Sequence, residues 1–200
     1  MHMQQLIIKK ILFLDIDGVL HPLTSSSLPL HATLTDLVAR VDLDLQHGDE
    51  EEYMSPTVSG EFMPLNMAHL SRIIKETNAE IVLSSTWRTT NYQYRAAVYQ
   101  LKCHGVCQGI YECTPQLGMG QSCREQEISL YLQRVTIANP SVEYRYCCID
   151  DAELYWNSSH VSDNEECVFQ FNPLCFVRCD SATGITEDDA LKVIKILNKS

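Results

Sequence analysis

Asp15 and Asp17, in the stretch ILFLDIDGVL, are two carboxylates one residue apart at the end of an apolar run. Such a run is built to be buried, and a buried carboxylate is costly unless a cation holds it, so a metal ion is the simplest companion for the pair. The chemistry within reach of two such groups is specific. One carboxylate can attack a phosphorus whose charge a cation offsets, while the other protonates the leaving oxygen and then activates water. Gly18 follows at once and marks a bend, which places both carboxylates in a loop at a strand end. A solvated turn after a strand is the plainer alternative. Two further polar pairs close apolar runs in the same way: Ser84 and Ser85 after AEIVL, and Asp150 and Asp151 after YRYCCI.

These side chains need elements that bring them together. Apolar runs of strand length occur at KILFLD (10–15), AEIVLSS (79–85), YRYCCIDD (144–151), CVFQF (167–171) and CFVRC (175–179), and read as strands buried on both faces. Between them, residues 66–78, 124–135 and 187–198 carry apolar side chains at three- and four-residue spacing, the mark of a helix with one buried face. Thr186 followed by Glu187, Asp188 and Asp189 is a helix start, with acids where the helix dipole favours them. Strands alternating with helices predict an α/β fold with a doubly wound, mostly parallel sheet, in which ligands bind beyond the carboxyl ends of the strands. Asp15, Asp17, Ser84, Ser85, Asp150 and Asp151 would then converge on one crevice. Residues 21–63 interrupt the alternation. Rich in Ser, Pro and acids, they read as a small cap or loop insertion in a single domain spanning 1–200, with some helical character over Ala32 to Leu45.

Composition narrows the classes of partner. The 200 residues hold 26 acidic and 15 basic side chains, a formal net charge of −11, which argues against a broad nucleic-acid footprint or a general affinity for anionic membranes. No apolar stretch reaches the roughly 18–20 residues of a membrane span, and Lys9 and Lys10 split the apolar part of the N-terminus, so the chain reads as cytoplasmic. Nine cysteines, an odd number lying within apolar runs, read as reduced thiols. Cys103, Cys107 and Cys113 with His104 lack the paired spacing of a structural zinc site.

The ordered combination FLDIDGVL, LSSTWR, REQEISLYL, CCIDD and FVRCDSATGITEDD resembles the haloacid dehalogenase (HAD) superfamily in its phosphatase form. Within it, the combination looks like the cap-poor branch found in Swiss-army-knife RNA-repair proteins and as stand-alone proteins. The resemblance covers residues 11–20 and about 65–198 and leaves the insertion unaccounted for. It implies a Rossmann-like core and a magnesium-dependent phosphohydrolase. Asp15 resembles the nucleophile that forms an aspartyl-phosphate, and Asp17 the general acid and base, whose backbone carbonyl would also face the metal. Ser85, two residues before Trp87, matches the phosphate-binding hydroxyl, with Ser84 as its alternative. Arg124 matches the basic residue of the third motif, and Asp150 and Asp151 match the acidic pair that completes the Mg2+ site. Arg88 is a candidate substrate contact, Trp87 reads as packing that fixes the loop, and His21 reads as a loop residue. One departure is the arginine at 124, where the superfamily usually carries lysine; a planar fork binds phosphate well but does not give up a proton. Lys102 is the other basic candidate, in a sequence context that fits less well. The expected substrate is a phosphorylated small molecule, a nucleotide or a nucleic-acid end. A catalytically idle phosphate-binding or protein-interaction module would keep the same fold; loss of Asp15 or Asp17 would mark it, and both are present.

Overall fold

The computed structural model describes residues 7–23, 62–106, 108–117, 124–154 and 171–199. In chain order the elements are β1 (Ile7–Leu14), α1 (Pro64–Thr77), β2 (Glu80–Leu83), α2 (Asn91–Cys103), β3 (Ile110–Cys113), α3 (Arg124–Ala138), β4 (Val142–Asp150), β5 (Phe176–Arg178) and α4 (Glu187–Leu197). Short 3-10 turns at Thr86–Arg88 and Pro173–Cys175 join them. The five strands form one parallel sheet in the order β3-β2-β1-β4-β5, so the α/β doubly wound reading holds.

The alternation of side chains along β1 explains the two layers. Leu12 and Leu14, with Ile81 and Leu83 of β2 and Cys147 and Ile149 of β4, face a core shared with α1, α2 and α4. Ile11 and Phe13, with Val82, Tyr146 and Cys148, face α3 through Ile128, Tyr131 and Leu132. Successive strand residues point to opposite faces, so a central strand covered on both sides must be apolar throughout, as LFL is. Phe13 meets Tyr131 edge to face at 5.5 Å, a contact worth roughly 0.5–1.5 kcal/mol beyond its buried area.

Helix ends follow local chemistry. Pro64 occupies the first turn of α1, where its missing N–H costs nothing, and Asn78 closes the helix in the left-handed conformation, its N–H donating to Ile74 O at 2.8 Å. At α4, Thr186 and Asp189 form a reciprocal capping box.

Several expectations shift. β1 starts three residues earlier than the apolar run suggests, because β4 is there to pair it from Ile7 opposite Val142. A helix over 91–103 and a strand over 110–113 were not expected from the pattern. The expected strand at 167–171 lies outside the described residues except for Phe171, which is not in a strand and packs against Phe176. Of the insertion at 21–63, only its two ends are described. They lie together: Met63 N–H donates to Leu20 O at 3.0 Å, and Leu23 N–H to Ser181 O at 2.6 Å. The expected helical stretch from Ala32 to Leu45 and the acidic run at 49–52 fall outside the described residues. No helix among the described residues is long and apolar enough to cross a membrane.

Candidate active site

Strand register brings the chemistry-bearing residues side by side. Leu14 pairs with Leu83 on one side and Ile149 on the other, so the next residue along each strand falls in the same row. The ladder continues past the strands: Asp15 N–H donates to Ile149 O at 3.1 Å, Ser84 N–H to Leu14 O at 2.9 Å, and Cys179 N–H to Asp150 O at 2.9 Å. Asp15 therefore stands between Ser84 and Asp150. The chain runs from β1 to β2 on one side of the sheet, while β4 pairs β1 on the other, so the row lies where the strand order reverses, the place in a doubly wound sheet where loops part and leave a crevice.

Beyond Asp15 the backbone coils tightly. Ile16 O accepts from the N–H groups of Val19, Leu20 and His21 at 2.8–3.1 Å, and Gly18 N–H donates to His21 O at 2.8 Å. Gly18 sits at φ +74°, and a Cβ there would fall 2.4 Å from the Asp151 carboxylate. Only glycine meets both demands: a left-handed backbone and a carboxylate packed against its Cα.

Asp15, Asp150 and Asp151 each offer a carboxylate oxygen within 4.8 Å of the others, the one group of three metal-capable side chains among the described residues. Asp15 and Asp150 are buried, at 4% and 1% exposure. Arg124, the first residue of α3, lies between them: its Nη1 is 2.9 Å from Asp15 Oδ1 and also pairs with Asp150 Oδ2. Asp150 Oδ1 accepts from Ala152 N–H at 2.9 Å. Burial pushes the Asp15 carboxyl up to about 7; Arg124 opposes that rise, Asp150 adds to it, and a hydrogen bond from Ser85 opposes it again. Asp151 is raised as well, by burial and then by Asp150. Burial works against the charge on Arg124, yet the two carboxylates outweigh it and its pKa rises. One guanidinium thus faces three carboxylates. Hard oxygen donors in excess of the positive charge that holds them suit a divalent cation such as Mg2+, so the residues present fit the metal that the sequence leads one to expect.

Asp17 stands apart from this trio. Its Oδ2 accepts from the indole Nε1–H of Trp87 at 3.0 Å, and its Oδ1 is 3.8 Å from Nδ1 of His21; these last two atoms are buried without a hydrogen-bond partner among the described residues. Its side chain is not one of the three that converge for a metal. Ser85 is fully buried and caps the 3-10 turn, its Oγ accepting from Trp87 N–H at 3.4 Å while its hydroxyl reaches Asp15. Ser84 is buried beside it.

Arg88, the candidate substrate contact, is engaged within the fold. Its guanidinium forms a buried pair with Glu127 of α3 and donates to the carbonyls of Ser84 and Ser85, which fastens the end of β2 to α3. Glu127 Oε1 also accepts from Leu117 N–H at 3.2 Å. Lys102 is exposed in the last turn of α2, the end that leads into the start of β3, away from the strand ends that carry the carboxylates. Cys103 and Cys113 are outside any disulfide and half-buried against the core, and Cys107 lies outside the described residues.

Sequence reasoning did not anticipate the Trp87–Asp17 bond, the His21–Asp17 approach or the Arg88–Glu127 pair. Glu127 carried the one usable signal: three residues after Arg124 on a helix, it had to share that residue's face.

With this geometry in place, comparison with known proteins is specific on one point. The family described as "HAD domain in Swiss Army Knife RNA repair proteins" matches residues 11–190. No curated protein and no solved structure matches the chain.

Proposed function

The chain belongs to the family of HAD domains in Swiss Army Knife RNA repair proteins, and from that premise we propose that it is a Mg2+-dependent phosphohydrolase of phosphomonoesters working through an aspartyl-phosphate on Asp15. The observation that carries the reading is the convergence of Asp15, Asp150 and Asp151 around Arg124, at the reversal point of the sheet.

In this reading Asp15 attacks phosphorus in line with the leaving oxygen. Ser85 and Arg124 hold the equatorial phosphoryl oxygens, and Ser84 shapes the same strand end. Because Arg124 stays charged, its part is to bind and to offset charge rather than to move a proton. Asp17 gives its proton to the leaving oxygen and then takes one from the water that attacks the aspartyl-phosphate. Asp15, Asp150 and Asp151, with the backbone carbonyl of Asp17, would hold the cation. When bound, Mg2+ supplies charge neutralisation for phosphate and nucleophile. Burial raises the Asp15 carboxyl to about 7, and a neighbouring positive charge favours the ionised, nucleophilic form.

The substrate class that agrees with the family is a nucleotide or a nucleic-acid end, with phosphorylated small molecules as the other members to test. A net charge of −11 opposes a long strand-binding track, so contact at the phosphorylated end is the mode we favour, in a cytoplasmic protein. The test is phosphate release from an aryl phosphate, from nucleotides and from 3′- and 5′-phosphorylated oligonucleotides, with and without Mg2+, comparing wild type with Asp15→Asn. Mg2+-dependent release abolished by the substitution supports the reading. Absence of release, together with failure to bind Mg2+, would replace it with the idle binding module.

A further inference from the structure

Trp87 raises a question that packing does not answer. It is 1% exposed and rests against Phe62 with ring centroids 5.5 Å apart, which a phenylalanine could also do. Its indole N–H, however, reaches across to Asp17 Oδ2 at 3.0 Å. The same 3-10 turn is capped by Ser85, whose hydroxyl acts on Asp15 and opposes the rise in its pKa. One short segment therefore touches both carboxylates of the first motif, each through a different donor.

The two carboxylates differ in how firmly they are otherwise held. Asp15 is buried and has Arg124 and Ser85. The Asp17 side chain is 34% exposed, and its Oδ1 has no hydrogen-bond partner among the described residues, the nearby His21 Nδ1 standing at 3.8 Å. Without the indole bond, the one described polar contact left to the carboxyl would be the longer approach of His21. An indole can only donate, so Oδ2 accepts from Trp87 whether Asp17 is neutral or ionised. That fixes the plane of the carboxyl group and leaves the transferable proton to the lone pairs that Trp87 does not occupy.

We propose that Trp87 is a positioning residue for the acid–base step, holding Asp17 in the one orientation from which it can serve the leaving group and then the water. The inference rests on the phosphohydrolase reading above. In the first step an Asp15 oxygen bonds phosphorus as the bond from phosphorus to the leaving oxygen breaks, and that oxygen takes the proton from Asp17, which becomes ionised. In the second, water oxygen bonds phosphorus, its proton goes to Asp17, and the bond from phosphorus to Asp15 breaks, returning the carboxylate and free inorganic phosphate.

Leaving groups separate this role from mere packing. A p-nitrophenolate departs without a proton, whereas an alkoxide does not, and kcat/KM reports only steps through formation of the aspartyl-phosphate. Trp87→Phe keeps a ring against Phe62 and removes the N–H. The experiment measures kcat/KM of wild type and Trp87→Phe for p-nitrophenyl phosphate and for glycerol 2-phosphate, in Mg2+. General acid–base catalysis is worth about 10²–10⁴-fold, so loss of orientation should cost roughly tenfold or more on the alkyl ester. The loss on the aryl ester should be at least about fivefold smaller. Equal losses on both, or no loss on either, overturn the inference and leave the phosphohydrolase reading intact. A wild type that turns over neither ester while failing to bind Mg2+ overturns both. Should Trp87→Phe not fold, 3-benzothienylalanine at position 87, with sulfur in place of the N–H and the same ring shape, supplies the same comparison.

Discussion

Helix α3 carries two charged residues one turn apart, each in a buried ion pair, and the two pairs are built to opposite plans. Glu127 meets Arg88 one to one, with side chains 1% and 6% exposed; further bonds run to Leu117 N–H and to the carbonyls of Ser84 and Ser85, while Arg88 Nε is buried without a hydrogen-bond partner among the described residues. Arg124 meets Asp15 and Asp150 together, with Asp151 close by, so negative charge is left over. A closed pair matches its charges one to one and holds two elements in register. An open one leaves carboxylates without a matching cation, and burial, with Asp150 adding to it, raises the pKa of Asp15 and Asp151. The difference separates scaffold from site within a single helical turn, and substitutions on the two sides should have opposite signatures.

The largest effect belongs to the open side. Asp15→Asn should lower phosphate release by roughly a thousandfold or more, as loss of a nucleophile does. Thermal unfolding at about pH 8 should show its midpoint unchanged or raised, because a buried carboxylate that resists ionisation has been replaced by a neutral group of the same shape. A variant both inactive and strongly destabilised would mean that Asp15 is scaffold after all.

On the closed side the order reverses. Removing one member of a buried pair strands the other, so Glu127→Ala should cost about 3–5 kcal/mol in urea unfolding. Arg88→Met combined with Glu127→Leu should recover most of that, since two apolar groups of similar size leave no buried charge unmatched. If the double variant is no more stable than Glu127→Ala, the bonds from Arg88 to the Ser84 and Ser85 carbonyls matter more than the pair itself.

Why one plan was legible in the sequence and the other was not follows from range. The carboxylates announce themselves because an apolar run such as ILFL cannot end in Asp without a reason, and the fold follows because three such runs alternate with helical periods. What placed Asp15 beside Asp150 is the register of Leu14 with Ile149, a pairing across more than a hundred residues that no local pattern encodes. Trp87 and Asp17 are joined across 70 residues in the same way. β3 escaped notice because IYEC is an edge strand with Tyr111 exposed, so it lacks the unbroken apolar run that marked the others. α2 buries Ala96, Ala97, Tyr99 and Leu101 with the polar Gln100 among them, so its buried face does not read as a clean apolar stripe. Arg88 shows the same limit of range: an arginine next to a site invites a substrate contact, and its pair with Glu127, 39 residues away, is visible only in the structure.

Mg2+ itself offers a finer division between the two plans. A cation bound only by the folded chain at a hundred times its Kd should stabilise it by about 2.7 kcal/mol. The sign of the pH dependence follows from Asp15. Its folded pKa, about 7, lies above its unfolded value, so below about 7 the site holds a proton that the cation must displace. The rise in melting midpoint on adding Mg2+ should therefore shrink between about pH 8 and pH 6. It should vanish or nearly so in Asp15→Asn and persist in any Arg88 or Glu127 variant that still folds. Stabilisation that is equal at both pH values, or kept in Asp15→Asn, would move the cation away from Asp15.

The smallest effect supplies the reference for the rest. Thr186 caps α4 through its hydroxyl and shares the Asp189 carboxylate, remote from both arginines, and Asp189 is held below the usual carboxylate range by the Thr186 and Lys192 hydrogen bonds, which outweigh its burial. Thr186→Ala should cost about 1 kcal/mol in unfolding and leave kcat and KM for an aryl phosphate within about twofold of wild type. Stability lost without activity lost is what a purely local element should show. If this variant loses catalysis as well, the turn that precedes α4 is implicated, because Ile185 N–H donates to Val19 O and Asn66 bridges Val19 O to Thr183 O. The loop that carries Asp15 and Asp17 would then be braced from α4 as well as from α3, and the contrast between scaffold and site would run through three helices rather than along one.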